Sequence, residues 1–280
     1  MADAAEASRE GERPYLWSAE LTLPPAAAGA APRPRAGAGK QGPGPRGLIS
    51  PYYDRARIAR LVAQGRHREA VGGRWEEMGR LQLELAREHG LRPESRVLDI
   101  GCGCFRAGVR LLPELEPGRY YGVEMHAPLL QAGLQRELRP LGLAERLGEG
   151  RLLCTDRFEF QVFGVQFDLA LAIALFRFLP FNHLRMCLEK LARVVRPGGR
   201  LLATYLECPP EEQFSAALEH EGGLRSFPAR APYHYLAADL RFAAYRLPWR
   251  IEDLGPWGPE GERLVSFLRL LEVPQPGAQG

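Results

Sequence analysis

Three acidic side chains close successive apolar runs in the 280-residue chain: Asp99 within Val97-Leu98-Asp99-Ile100, Glu124 after Tyr120-Tyr121-Gly122-Val123, and Asp156 after Leu152-Leu153-Cys154-Thr155. The first run leads directly into Gly101-Cys102-Gly103. Glycine at such a turn lets a ligand approach the backbone, and a helix opening beyond it presents free N-terminal amides. A carboxylate at the next strand end, about 20 residues on, sets two acceptor oxygens where ribose hydroxyls would lie. Each acid alone has a plain alternative, as a helix cap, solvated strand end or turn former. The three in register point instead to a nucleoside. A dinucleotide fingerprint would place a third glycine at position 106, which holds Arg106, so a nicotinamide-dependent oxidoreductase is the weaker reading.

Such acids need a sheet to hold them at one edge. Apolar runs of strand length recur at Val97-Ile100, Tyr120-Glu124, Leu152-Asp156, Phe167-Ile173 and Leu201-Leu206, the last after the turn Arg196-Pro197-Gly198-Gly199. Helical stretches separate them, through Val109 to Leu112, Leu129 to Leu138 and Leu184 to Val195. Strands alternating with helices and apolar on both faces predict a parallel sheet covered on two sides. Two further strands, Trp249-Leu254 and Leu264-Leu268, flank the turn Gly255-Pro256-Trp257-Gly258-Pro259. That turn is too short for a helical crossover, so these two strands should be antiparallel.

The motifs Val97-Leu98-Asp99-Ile100-Gly101-Cys102-Gly103, Glu124, Asp156 and Arg196-Pro197-Gly198-Gly199 resemble those of class I S-adenosylmethionine-dependent methyltransferases, over about residues 94–206. The resemblance implies an α/β fold: a seven-stranded Rossmann-like sheet, mostly parallel with an antiparallel last strand and helices on both faces. It implies that the glycine loop wraps the methionine part of S-adenosyl-L-methionine, that Glu124 binds the ribose and that Asp156 binds the adenine amino group. Cofactor contacts are accordingly expected from Asp99, Gly101, Cys102 and Gly103, from Glu124 and Met125, from Asp156, Arg157 and Phe158, and from Ala172. The family loop commonly carries a further glycine where this chain has Phe105, with Gly108 following.

Methyl transfer from a sulfonium is already activated, so the protein mainly aligns the acceptor and excludes water. For a hydroxyl acceptor a base is expected near the fourth or fifth strand end or in the C-terminal insertion. Candidates are His183, in Phe181-Asn182-His183-Leu184, His234, in Pro232-Tyr233-His234-Tyr235, and Glu207. His234 sits in a polar aromatic cluster suited to a pocket wall, whereas His183 reads more readily as a capping or packing residue. Arg177 interrupts an apolar run and either binds an anionic acceptor or reaches solvent. The expected activity is methyl transfer to a small molecule or metabolite, at oxygen; the alternative is a catalytically silent methyltransferase-like module that binds a partner.

Upstream, Ile58, Leu61 and Val62, then Trp75, Met78, Leu81, Leu85 and Ala86, recur at helical spacing, and Tyr52, Tyr53, Arg74 and Trp75 fall where related enzymes lid their site. The expected organisation is a disordered Ala/Pro/Gly/Arg-rich tail over 1–47, holding one apolar patch at Tyr15-Leu16-Trp17, a helical lead over 48–92, a methyltransferase domain over 93–272 and a short disordered tail over 273–280. The net charge of +3 comes from scattered arginines, with Lys40 and Lys190 the only lysines. Nothing there concentrates charge for nucleic acid. Five cysteines in mostly apolar runs fit a reduced cytoplasm, and Cys102 and Cys104 lack a second pair that would complete a metal site. No run is long and apolar enough for a membrane span.

Overall fold

The computed structural model describes residues 53–272 and the backbone of 15–17; the rest of the expected tails, with Tyr52, lies outside the described residues. Strand β1 (Tyr15–Trp17) is followed by the lead, α1 (Arg55–Ala63), α2 (His67–Ala70) and α3 (Trp75–Glu88). The domain proper runs β2 (Val97–Ile100), α4 (Gly108–Leu111), β3 (Tyr120–Glu124), α5 (Ala127–Gly133), α6 (Ala144–Leu147), β4 (Leu152–Cys154), β5 (Phe167–Ala172), α7 (Phe181–Leu191) and β6 (Val195–Glu207). The C-terminal part carries β7 (Leu218–Glu219), β8 (Arg225–Ser226), β9 (His234–Tyr235), α8 (Ala237–Ala243), β10 (Trp249–Trp257) and β11 (Glu262–Arg269).

The sheet order is β1-β4-β3-β2-β5-β6-β11-β10, with β9 paired to the end of β6. Strands β2 to β6 are parallel, and β11 enters antiparallel between β6 and β10, giving the expected seven strands with a reversed last one. The patch at Tyr15–Trp17 adds an antiparallel edge strand on β4.

Side chains alternate along each strand and feed two cores. Leu98, Ile100, Ala170 and Ala172 face α7 and α8, while Val97, Leu169 and Leu171 face α3 to α6. A third, small cluster of Ile58, Ala70 and Leu129 pins α1 and α2 to α5.

Some boundaries differ from the sequence reading. β6 begins at Val195 and runs through the expected turn at 196–199, with a register irregularity opposite Phe167 and Leu169. Gly199 permits this, because a Cβ there would lie 2.9 Å from the Asp168 carbonyl oxygen. The helix over Leu129 to Leu138 starts at Ala127 and finishes as a π-helical turn, Leu134–Leu138. β10 continues to Trp257, which moves the final turn to 258–261.

Candidate active site

A cavity of about 300 Å³ opens at the carboxyl ends of β2 to β5, under the lead helices. Order reverses here, since β2 is flanked by β3 on one side and β5 on the other, and such a crevice is where open parallel sheets bind ligands. Asp99, Gly101, Glu124 and Met125 line it from the sheet, and Tyr53, Val71 and Gln82 from the lead.

Asp99 is buried and its Oδ2 accepts the Tyr120 hydroxyl at 2.6 Å. Burial pushes its carboxyl up to about 6 against the opposing pull of that hydrogen bond and of Arg106. Glu124 is also buried, and accepts the Gly103 N–H at 3.1 Å and the His126 N–H at 3.0 Å. It thereby ties the glycine turn to the second strand end. Burial raises it to about 7, with the backbone donors opposing. A carboxylate has more acceptor sites than these two bonds use, so both oxygens can still receive hydroxyls. Asp156 is different: its side chain is 42% exposed, with Arg55 at 3.9 Å.

The turn itself answers what Phe105 does. It adopts φ +69°, the left-handed conformation that glycine takes at no cost, and its ring is wholly buried against Tyr120. Two glycines, one three residues on and one distant in the chain, make the room: a Cβ on Gly133 would lie 2.4 Å from the Phe105 ring, and one on Gly108 2.9 Å from Phe105 Cβ. Gly103, at φ +56°, is constrained from the other side, since a Cβ there would lie 2.5 Å from Val71 Cγ1. The lead closes directly over the loop. Arg106 fastens it there, donating to the carbonyls of Val71 and Gly73 at 3.0 Å each.

Most expected site residues meet around this cavity: Asp99, Gly101, Cys102, Glu124, Met125, Asp156, Phe158 and His183 all line it, with Gly103 in the turn beneath. Three do not. Ala172, the last residue of β5, faces the α7 core, so Ile173 and Ala174 just beyond it form the wall in its place. Arg157 is exposed, and its carbonyl receives Lys190 Nζ at 2.8 Å. His234 is the main correction. It is buried between elements, with Nδ1 2.8 Å from the Ser226 hydroxyl and Nε2 2.9 Å from the Gln213 carbonyl, and it is absent from the cavity wall. Both ring nitrogens are thus committed to structure.

His183, read from sequence as the plainer residue, is half-buried at the cavity, with Nδ1 3.4 Å from the Tyr53 hydroxyl. Burial, then the charge of Asp156, raises that phenol above its ordinary range. Arg177 reaches the wall, but Glu260 at 2.5 Å and Glu262 at 3.5 Å meet its charge, which leaves it a poor receptor for an anionic acceptor. Glu207 is engaged by Arg263 at 3.2 Å and the Tyr205 hydroxyl at 3.2 Å, away from the cavity. Sequence reasoning missed Gln82. Its signal was a polar residue on the apolar face of α3, in step with Met78 and Leu85.

Comparison with known proteins agrees with this fold. Residues 98–201 match the family model described as a methyltransferase domain. Magnesium protoporphyrin IX methyltransferase from Synechocystis, with S-adenosylhomocysteine bound, superposes with a TM-score of 0.53 at 18% identity, covering 79% of this chain and 95% of that one. A TehB-like S-adenosylmethionine-dependent methyltransferase from Corynebacterium glutamicum gives 0.50 at 18% identity, over 76% and 98% of the two chains. DesVI from Streptomyces venezuelae gives 0.50 at 17% identity, over 77% and 98%. At these identities the likeness is one of fold.

Proposed function

We propose that the chain is a class I S-adenosylmethionine-dependent methyltransferase that methylates an oxygen of a small-molecule acceptor, with His183 as the base; the methyltransferase-domain model matched over residues 98–201 and the shared fold support this reading. When bound, the cofactor supplies a methyl group activated by its sulfonium. Glu124 would hold the ribose hydroxyls, Asp156 and Phe158 the adenine, and Asp99 with the Gly101–Gly103 turn the methionine end. The cavity suits such a ligand: it has buried carboxylates at two strand ends, and the lead excludes water from above.

The pairing of His183 with Tyr53 carries the proposal, because it sets an imidazole and a phenol on the wall of the cavity that the strand-end acids share. With Nδ1–H donating to the Tyr53 oxygen, Nε2 keeps the lone pair that takes the acceptor's proton. Apolar neighbours Leu175, Phe178 and Leu179 favour a largely apolar acceptor.

Saturable binding of S-adenosylhomocysteine by calorimetry is the first expected result. Methyl transfer to members of a hydroxyl-bearing compound library is the second. His183→Ala should keep cofactor affinity and lower kcat by about 10²- to 10⁴-fold. Transfer at undiminished rate in that variant removes His183 from the reaction, and no binding by the wild-type protein removes the whole reading.

A further inference from the structure

Helix α3 buries Met78, Leu85 and Ala86 against the sheet, and Gln82 falls on the same face. Gln82 is 5% exposed and lines the cavity, and its Oε1 has no hydrogen-bond partner among the described residues. An apolar side chain at this place would avoid the desolvation cost of a buried, unpaired acceptor. A donor from a ligand would remove it.

The position of Gln82 says which donor. Across the sheet the strand ends follow the order β4, β3, β2 and bring Asp156, Glu124 and Asp99 to the cavity in that sequence. α3 meets the domain at the β2 end: a Cβ on Gly79, three residues before Gln82, would lie 3.1 Å from the Arg106 carbonyl oxygen. Arg106 in turn holds the Val71–Gly73 segment, so α3 and the glycine turn form one rigid wall. With adenine at Asp156 and ribose at Glu124, the part of the cofactor left for this wall is an amino acid zwitterion. Its ammonium needs acceptors. Asp99 supplies charge there, but one of its oxygens is already taken by Tyr120.

We propose that Gln82 Oε1 accepts a hydrogen bond from the α-ammonium of the cofactor's methionine end, and thereby selects ligands that carry the intact amino acid. The inference rests on the cofactor seat argued above and adds to it a recognition residue from outside the sheet. Asp99 provides the counter-charge and Gln82 the directed acceptor.

Calorimetry with two ligands tests it: S-adenosylhomocysteine, and 5′-methylthioadenosine, which shares the adenine, ribose and sulfur but lacks the amino acid. Gln82→Met, of similar volume and without polar atoms, is expected to weaken S-adenosylhomocysteine about ten- to a hundredfold and to leave 5′-methylthioadenosine within about twofold. Gln82→Glu keeps an acceptor and should hold S-adenosylhomocysteine within about threefold of wild type. Equal losses for both ligands in Gln82→Met, or no loss for either, overturn the inference. A loss in Gln82→Glu as large as in Gln82→Met also overturns it, because the amide would then be donating. Wild-type protein that binds neither ligand overturns the cofactor seat itself, whereas wild type that binds both equally tightly overturns only the role of Gln82.

Discussion

Two polar clusters lie at the carboxyl edge of the sheet, one around β2 to β4 and one around β8, β9 and β11. Both are buried. In the first, Asp99 and Glu124 take hydrogen bonds from a tyrosine and from backbone N–H groups and keep acceptor capacity toward the cavity. In the second, the charges meet one another: Glu260 and Glu262 face Arg177, Thr204 donates to Glu262 at 3.0 Å, and Ser226 and the Gln213 carbonyl hold His234, while Arg177 Nε and Glu262 Oε1 have no hydrogen-bond partner among the described residues. Burial of a polar side chain is therefore no mark of function in this molecule. Spare acceptor capacity that faces the cavity is the mark, and mutations should divide accordingly into those that cost stability and those that cost affinity.

The largest effect should come from the charge-paired cluster. Arg177→Met leaves Glu262 buried without its counter-charge, and breaking a buried pair from one side costs about 3–5 kcal/mol. Urea denaturation of the cofactor-free protein measures it. A change below about 1 kcal/mol would mean that the cluster is solvated and the division between the two regions is wrong.

Next comes the open cluster. Glu124→Ala removes the acceptor from the second strand end, and losing hydrogen bonds to a charged group should weaken S-adenosylhomocysteine by about 2–3 kcal/mol, roughly thirty- to a hundred-and-fiftyfold. Calorimetry reads this directly. Affinity unchanged in this variant would place the ribose elsewhere.

The two histidines then sharpen the contrast between regions. His234→Ala removes the donor to the Gln213 carbonyl and leaves the Ser226 hydroxyl with His220 alone, so it should lower stability by about 1–3 kcal/mol and leave the affinity of the folded protein for S-adenosylhomocysteine unchanged. His183→Ala should do the reverse, holding stability within about 0.5 kcal/mol while turnover falls. Thermal melts with and without ligand separate the two outcomes; a His234→Ala protein of wild-type stability would count against the assignment.

The open cluster was legible in the sequence and the closed one was not, for a physical reason. Strands buried on both faces read as short apolar runs, and the acids that end them stand one residue from the glycine turn or at the last residue of the strand. The partners of His234 arrive on β8 and a loop, through two-residue strands that have no periodicity to read. Phe105 shows the same limit at closer range. Its ring and left-handed backbone use space left at the nearby Gly108 and at Gly133, and sequence spacing alone does not connect the second of these to it. Ala172 was misplaced by one residue, and in a strand one residue changes the face.

The smallest expected effect is a pH dependence that belongs to the open cluster alone. Burial raises Glu124 from an ordinary 4.5 to about 7, and Asp99 from 3.8 to about 6. Between those limits the folded chain holds protons that the unfolded chain has released. The stabilising contribution of these carboxyls is thus full below their unfolded values and is lost as pH rises through about 6 to 7. Ligand hydroxyls that donate to Glu124 favour its ionised form. Affinity for S-adenosylhomocysteine should therefore rise from pH 6 to pH 8, by no more than about tenfold per unit for a single group, and level off above its transition. Calorimetry in two buffers of different ionisation enthalpy should count more protons released on binding at pH 6 than at pH 8, because Glu124, near 7, and Asp99, near 6, are both partly protonated in the free protein at the lower pH. Glu124→Gln should remove the larger part of both profiles and leave the part that belongs to Asp99. An affinity that falls with pH in the wild-type protein would mean that the carboxyl binds its ligand as a donor, and that the two clusters differ in what they face but not in the ionisation of their acids.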